Sequence, residues 1–165
     1  MLRNIDGVPE DRAFMAEFKT STTVACPVEQ AFDFLIRPAN AVRISPPALG
    51  LVFTQAPEVL EIGSRFEFKV QGWGQVQTLQ HEVISLDRPR QFIEQQVKGP
   101  FKKWVHEHSV LVNSDGEVVV FDRIEFEPPG GLIGLLITSQ KIIDHLEEGF
   151  YHRHQELRRC LEVVA

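Results

Sequence analysis

Between Leu49 and Glu127 the chain reads as six short segments of strand character, at about 49–55, 64–71, 73–84, 91–97, 101–113 and 117–127. The breaks between them are "EIGS", "QGWG", "LDRPR", "KGP" and "NSDGE", all rich in residues that accept tight turns or positive φ. No other feature constrains the fold as much. Strands joined by so few residues have no room for a crossover, so each must lie antiparallel beside the next.

The flanking segments complete the layout. "AEFKTSTTVAC" is rich in β-branched and short polar residues, which suits an earlier strand with one wet face. "CPVEQAFDFLI" reads as a short helix with Pro27 at its first position, Glu29 in the first turn, and Val28, Ala31, Phe32 and Leu35 at helical spacing. Pro38 and the pair Pro46 and Pro47 bound a second brief helix around "ANAVRI". Within 139–164, Ile143, Leu146, Phe150, Leu157, Leu161 and Val164 form an apolar stripe, with acidic residues early and Arg158 and Arg159 late, as the helix dipole favours. Roughly 25 helical residues span about 38 Å, enough to cross a sheet from edge to edge. The expected fold is therefore α+β: a curved seven-stranded antiparallel sheet that buries one face against a long C-terminal helix, with two short helices after the first strand. At 165 residues the chain can bury one core without disulfides or a structural metal. We expect a single domain over 14–165 and a flexible leader at 1–13, because alternation begins near Phe14.

Alternation also sorts the strands into faces. In 101–112, Lys103 and Glu107 want water, whereas Trp104, His106, His108, Val110 and Val112 share the other face. With "SDG" as a three-residue hairpin loop and Gly116 left-handed, Val112 meets Val118, Val110 meets Val120, His108 meets Asp122, His106 meets Ile124 and Trp104 meets Phe126. A two-residue loop would set His108 against Arg123 and bury charge. The same sorting turns Phe66, Phe68, Trp73, Leu79, His81 and Val83 inward, and an inward Phe92 brings Glu94 and Gln96 with it. The inner face then has an apolar region and a polar one of His81, Glu94, Gln96, His106, His108 and Asp122. Each unpaired buried polar group costs about 1–3 kcal/mol, so the polar region points to a cavity holding water or ligand rather than a dry core.

Net charge is −6 with Lys and Arg scattered, which leaves no footprint for nucleic acid. The N-terminal residues lack the apolar stretch of a secretory signal, and no apolar run is long enough to cross a bilayer, so we expect a cytoplasmic protein without stable membrane insertion. Cys26 and Cys160, the two cysteines, read as reduced thiols. His108 and Asp122 fit either a hydrogen-bonded pair stitching two strands or an acid–base pair in which the carboxylate orients an imidazole, with His106 as the other candidate. The H-x-H spacing also suits a metal, with His81, Glu94 or Asp122 as a third ligand; that ligand is assumed rather than read, and neither a metal nor a cofactor is called for. His145, His152 and His154, mixed with charges, are expected in solvent. "PPGGLIGLLI" could gate a cavity mouth, contact a partner or a second copy in a homodimer, or pack beneath the long helix.

The stretches "CPVEQAFDFL", "ISPP", "PRQFIEQQVKGPFKKWVHEH", "FDRIEFEPPGG" and "GFYHRHQEL" give the chain a resemblance to the SRPBCC superfamily, which groups START lipid-transfer domains, birch pollen allergens and polyketide cyclases or dehydrases. More narrowly it resembles a bacterial subgroup related to a cell division inhibitor annotation, although Leu79 stands where that subgroup's pattern has a tryptophan. The resemblance implies a helix-grip fold and a deep cavity between sheet and long helix for a hydrophobic or amphipathic small molecule. The expected function is binding of such a molecule, its apolar body against Phe66, Phe68, Trp73, Leu79 and Trp104 and its polar end against the His and Asp cluster. The alternatives are a cyclase, dehydratase or hydrolase using that cluster, or a protein-interaction module.

Overall fold

The computed structural model of the protein describes residues 15–162; the leader expected at 1–13, with Phe14 and Val164, lies outside the described residues. The chain runs β1 (Ala16–Val24), α1 (Val28–Leu35), α2 (Pro38–Ile44), β2 (Val52–Gln55), β3 (Arg65–Gly72), β4 (Gln75–Asp87), β5 (Gln91–Lys98), β6 (Lys103–Val112), β7 (Val118–Glu127), α3 (Gly131–Leu136) and α4 (Ser139–Leu161). The seven strands form one antiparallel sheet in the order β1-β7-β6-β5-β4-β3-β2. Strands β2 to β7 follow one another as the short turns require, and β1 pairs with β7, so α1 and α2 carry the chain from one sheet edge to the other.

Several local expectations are corrected. Pro27 is the cap residue before α1, not its first residue; the Ala31 N–H donates to its carbonyl at 3.1 Å. The first turn of α4 holds no acidic residue, and its N-terminus is capped by Thr138, whose side chain accepts from the Lys141 N–H. Arg158 and Arg159 do occupy its last turn.

The β6–β7 register is the one that the alternation demands: Val112 pairs with Val118, His108 with Asp122, His106 with Ile124 and Trp104 with Phe126. Gly116 takes φ 80° in the connecting loop, where a side chain would be strained. The core divides in two. Phe32, Ile36, Phe66, Val83, Phe92, Val110, Val120, Leu157 and Leu161 gather toward α1 and α2, while Phe18, Ile124, Phe126, Ile142 and Phe150 gather toward the start of α4. Leu157, wholly buried, contributes roughly 1.5–3 kcal/mol on its own. Along β6 and β7 the inward-facing residues between Val110/Val120 and Ile124/Phe126 are His108, His106 and Asp122, so a belt of hydrogen-bonding groups separates the two apolar clusters.

Most of the segment "PPGGLIGLLI" forms α3, on which Leu132, Ile133, Leu135 and Leu136 stand exposed, while Ile137 at its end is buried in the cluster with Ile142 and Phe150 of the long helix. No helix among the described residues is long and apolar enough to cross a membrane.

Candidate functional site

The polar belt is assembled by strand pairing. His106 and His108, two apart on β6, project to one face, and their ring centroids lie 3.7 Å apart. Asp122 on β7 sits opposite His108, and Glu94 on β5 sits opposite His106. Phe92, opposite His108, stacks on its ring at 4.2 Å and 11°. Asp122 Oδ1 accepts from His106 Nε2 at 2.8 Å and lies 3.1 Å from His108 Nδ1. On the other side, Glu94 Oε1 is 3.3 Å from His81 Nδ1 and 3.9 Å from both His106 Nδ1 and His108 Nε2. The two histidines are thus held between two carboxylates, one at 0% exposure behind them and one facing the interior space in front.

Burial pushes the His106 imidazole down, and the charge on His108 adds to this, so it titrates at about 4 despite Asp122. Burial also works against a charged His108, but Asp122 and Glu94 outweigh it and raise its pKa. Burial would raise both carboxyls, yet the imidazoles hold them well below the usual range: His106 and His108 act on Asp122, His108 and His81 on Glu94. At neutral pH the carboxylates are ionised and His106 is neutral, while His108 holds a proton more readily than a free imidazole does. Asp122 also feels Arg153 of α4, whose guanidinium lies 5.5 Å above the Phe150 ring.

Two spaces adjoin the belt. The larger, about 320 Å³, lies between α4 and strands β3, β4 and β6, and its walls include Phe68, Trp73, Leu79, His81, Phe101, Trp104, Ile142 and Leu146. The smaller, about 140 Å³, lies under α1 and α2 and is lined by Phe66, Phe68, Phe92, Glu94, His106, His108 and Arg153 among others. Phe68 borders both, and His81 links them, since it lines the larger space and contacts the Glu94 that lines the smaller.

Of the residues named from sequence, Phe66, Glu94, His106 and His108 line the smaller space, Trp73, Leu79, His81 and Trp104 the larger, and Phe68 both. Gln96 and Asp122 line neither. Gln96 donates to the Phe101 carbonyl at 2.7 Å and packs on Gly99, so it braces the β5–β6 turn. Asp122 reaches the cavity only through the histidines. Trp73 is not a strand residue facing the core but the first residue of a two-residue turn with Gly74, at φ 51° and 38% exposed, its ring 5.8 Å from Phe101 at the cavity rim. Sequence reading missed Arg153, Phe101 and Ile142. His154, expected in solvent, is part-buried, and its Nε2 has no hydrogen-bond partner among the described residues. A side chain's period on the helix would have placed Ile142 beside Leu146, four residues on, but no local signal marks Arg153 as inward.

Solved structures with this architecture include the ginseng major latex-like protein 151 from Panax ginseng, with TM-score 0.67 and 14% identity, covering 92% of this chain and all of that one. Protein CV1439 from Chromobacterium violaceum matches with TM-score 0.67 at 12% identity, over 89% of this chain and 97% of its own. The di-domain ARO/CYC StfQ from the steffimycin biosynthetic pathway matches with TM-score 0.67 at 14% identity; 92% of this chain covers 52% of that chain. These likenesses bear out the helix-grip fold of the SRPBCC resemblance. A search of curated proteins finds no match to the sequence. One family matches over residues 75–161, from β4 to the end of α4, a stretch that holds His81, Glu94, His106, His108, Asp122 and Arg153. By that match over more than half its length, the chain belongs to the family described as Domain of unknown function (DUF8410).

Proposed function

We propose that the protein binds a small amphipathic molecule between the sheet and α4, with its apolar body in the larger space and its polar end toward His81, Glu94 and the histidine pair. One observation carries this reading: an aromatic-lined space of about 320 Å³ adjoins a buried charged cluster through a shared wall at Phe68 and His81. Apolar walls supply affinity and a few fixed polar groups supply orientation. The test uses 1-anilinonaphthalene-8-sulfonate, an apolar probe with an anionic end. Both tryptophans of the chain, Trp73 and Trp104, line the space, so the expected result is saturable 1:1 binding that quenches their emission. Val70→Trp, which fills the space from β3, and Trp104→Ala should each weaken binding at least tenfold, about 1.4 kcal/mol, while far-UV circular dichroism stays unchanged. Equal affinity in both variants and the parent would sink the reading.

A second reading is favoured by the His106–Asp122 bond: a neutral imidazole oriented by a buried carboxylate at a cavity wall is the arrangement that general acid–base chemistry uses. Here His106 or His108 would move a proton on a bound cyclase or dehydratase substrate, and Asp122 would orient the ring. Turnover of a candidate substrate that persists in full in His108→Gln and His106→Gln would reject it.

A further inference from the structure

We propose that Glu94, His106 and His108 form a binding site for a divalent transition-metal ion, zinc in the first instance. The inference does not depend on any organic ligand.

The argument is geometric. Each histidine turns one ring nitrogen toward the same oxygen of Asp122: Nε2 of His106 at 2.8 Å and Nδ1 of His108 at 3.1 Å. A carboxylate only accepts, so His106 Nε2 bears the proton and His106 Nδ1 is left with its lone pair; His108 Nδ1 faces the same oxygen without completing a hydrogen bond, and its Nε2 is directed toward Glu94, where a metal would take the place of any proton on it. Both lie 3.9 Å from Glu94 Oε1, and the ligating atoms of the three residues all lie within 4.8 Å of one another. No hydrogen bond spans 3.9 Å, and His108 Nε2 is buried without a partner among the described residues. Left without a partner, His108 Nε2 is costly in a belt flanked by two apolar clusters, and His106 Nδ1 and Glu94 Oε1 stand beside it. An ion between them satisfies all three. In a tetrahedral zinc site neighbouring ligand atoms sit about 3.3 Å apart, so the two 3.9 Å edges to Glu94 Oε1 must contract by several tenths of an ångström, which Glu94, on a flexible two-carbon stem, can supply.

The surroundings match what a metal needs. Asp122 is an outer carboxylate that accepts from His106 Nε2 and fixes that ring's tautomer, as metal-bound histidines normally require, and the same oxygen faces His108 Nδ1 at 3.1 Å. His81, 3.3 Å from Glu94 Oε1, positions the carboxylate. Two imidazoles and one carboxylate suit zinc, iron(II) or cobalt(II) and disfavour calcium or magnesium, which take oxygen ligands. Three protein ligands at the wall of the smaller space leave a fourth position open to water or to the polar end of a guest.

The test is titration of the full chain, stripped with a chelator, with zinc chloride alone in a calorimeter, repeated with cobalt(II) to read its visible absorption. The expected result is one ion per chain, with cobalt bands that report nitrogen ligation. Glu94→Gln, nearly isosteric, should weaken binding at least tenfold, and His108→Ala should abolish the saturable phase. Asp122→Asn should weaken it about 10- to 100-fold while leaving the stoichiometry intact, as expected for a positioning residue. His152→Gln, on α4 and outside the cluster, should bind like the parent. Absence of 1:1 binding in the parent, or binding unchanged in Glu94→Gln and His108→Ala, overturns the site. Because no organic probe is present, either result leaves the cavity reading to be judged on its own measurement.

Discussion

His106 and His108 stand side by side on β6 with their ring centroids 3.7 Å apart, and a single oxygen of Asp122 faces both. Two imidazolium ions cannot share that space cheaply, so the pair holds at most one proton beyond the N–H that each neutral ring carries, and burial keeps that extra proton off His106.

This sets a pH dependence for protein stripped of divalent ions. The unfolded His106 imidazole takes up a proton near 6.5, the folded one only near 4. Between those values the unfolded state binds more protons, so stability falls as pH falls, by about 3 kcal/mol in all. Asp122 and Glu94, held low, add a further loss as pH drops below the usual carboxylate range and through their folded values. His108, raised, has its full stabilisation below about 6.5 and loses it as pH rises through its folded value. Urea midpoints from pH 8 to 4 should show the acid limb in the parent and a flatter one in His106→Gln. An unchanged limb in the variant would assign it to other groups.

Asp122 should be worth far more than a surface ion pair. Asp122→Ala leaves two buried imidazoles without their acceptor and is expected to cost about 3–5 kcal/mol. Glu17→Gln, which breaks the half-exposed pair with Arg123, should cost less than about 1 kcal/mol. Chemical denaturation of both variants measures the contrast; similar losses would refute the assignment of the belt as the sensitive element.

Trp73 occupies a left-handed turn position that Asn prefers, with Gly74 beside it. Trp73→Asn should relieve roughly 1 kcal/mol of backbone strain, so the hairpin holds or gains stability. The same change removes a cavity wall and the contact with Phe101, so affinity for the anilinonaphthalene probe should drop. Thermal unfolding and probe titration on one sample separate the two effects, and lower stability with unaltered affinity would contradict both.

The thiols should label in order. Cys26 is buried, and burial pushes its pKa up, so little thiolate is available to react. Cys160 is partly exposed on α4, 3.6 Å from the Arg43 guanidinium. Iodoacetamide at neutral pH should modify Cys160 first, read by peptide mass mapping; equal rates would place Cys26 nearer solvent than the structure does.

The period-2 alternation and the short turns were enough, read from the sequence, to determine the antiparallel meander, the inward faces of β3, β4 and β6 and the meeting of His108 with Asp122, while the inward face of β5 is settled only by the burial of Phe92. Hairpin partners are close along the chain, so a loop of known length and one buried face leave a single register. Tertiary structure alone decided the rest. Asp122 bonds His106, two residues from its strand partner's level, because side-chain rotamers and not Cα register set the contact. Glu94 reaches both histidines through the β5–β6 register, Arg153 reaches the cavity through the rotation of α4, and Trp73 bends through the turn instead of extending. Those placements depend on how a helix and a sheet distant in sequence pack together, and local patterning says which face is buried but not what it is buried against.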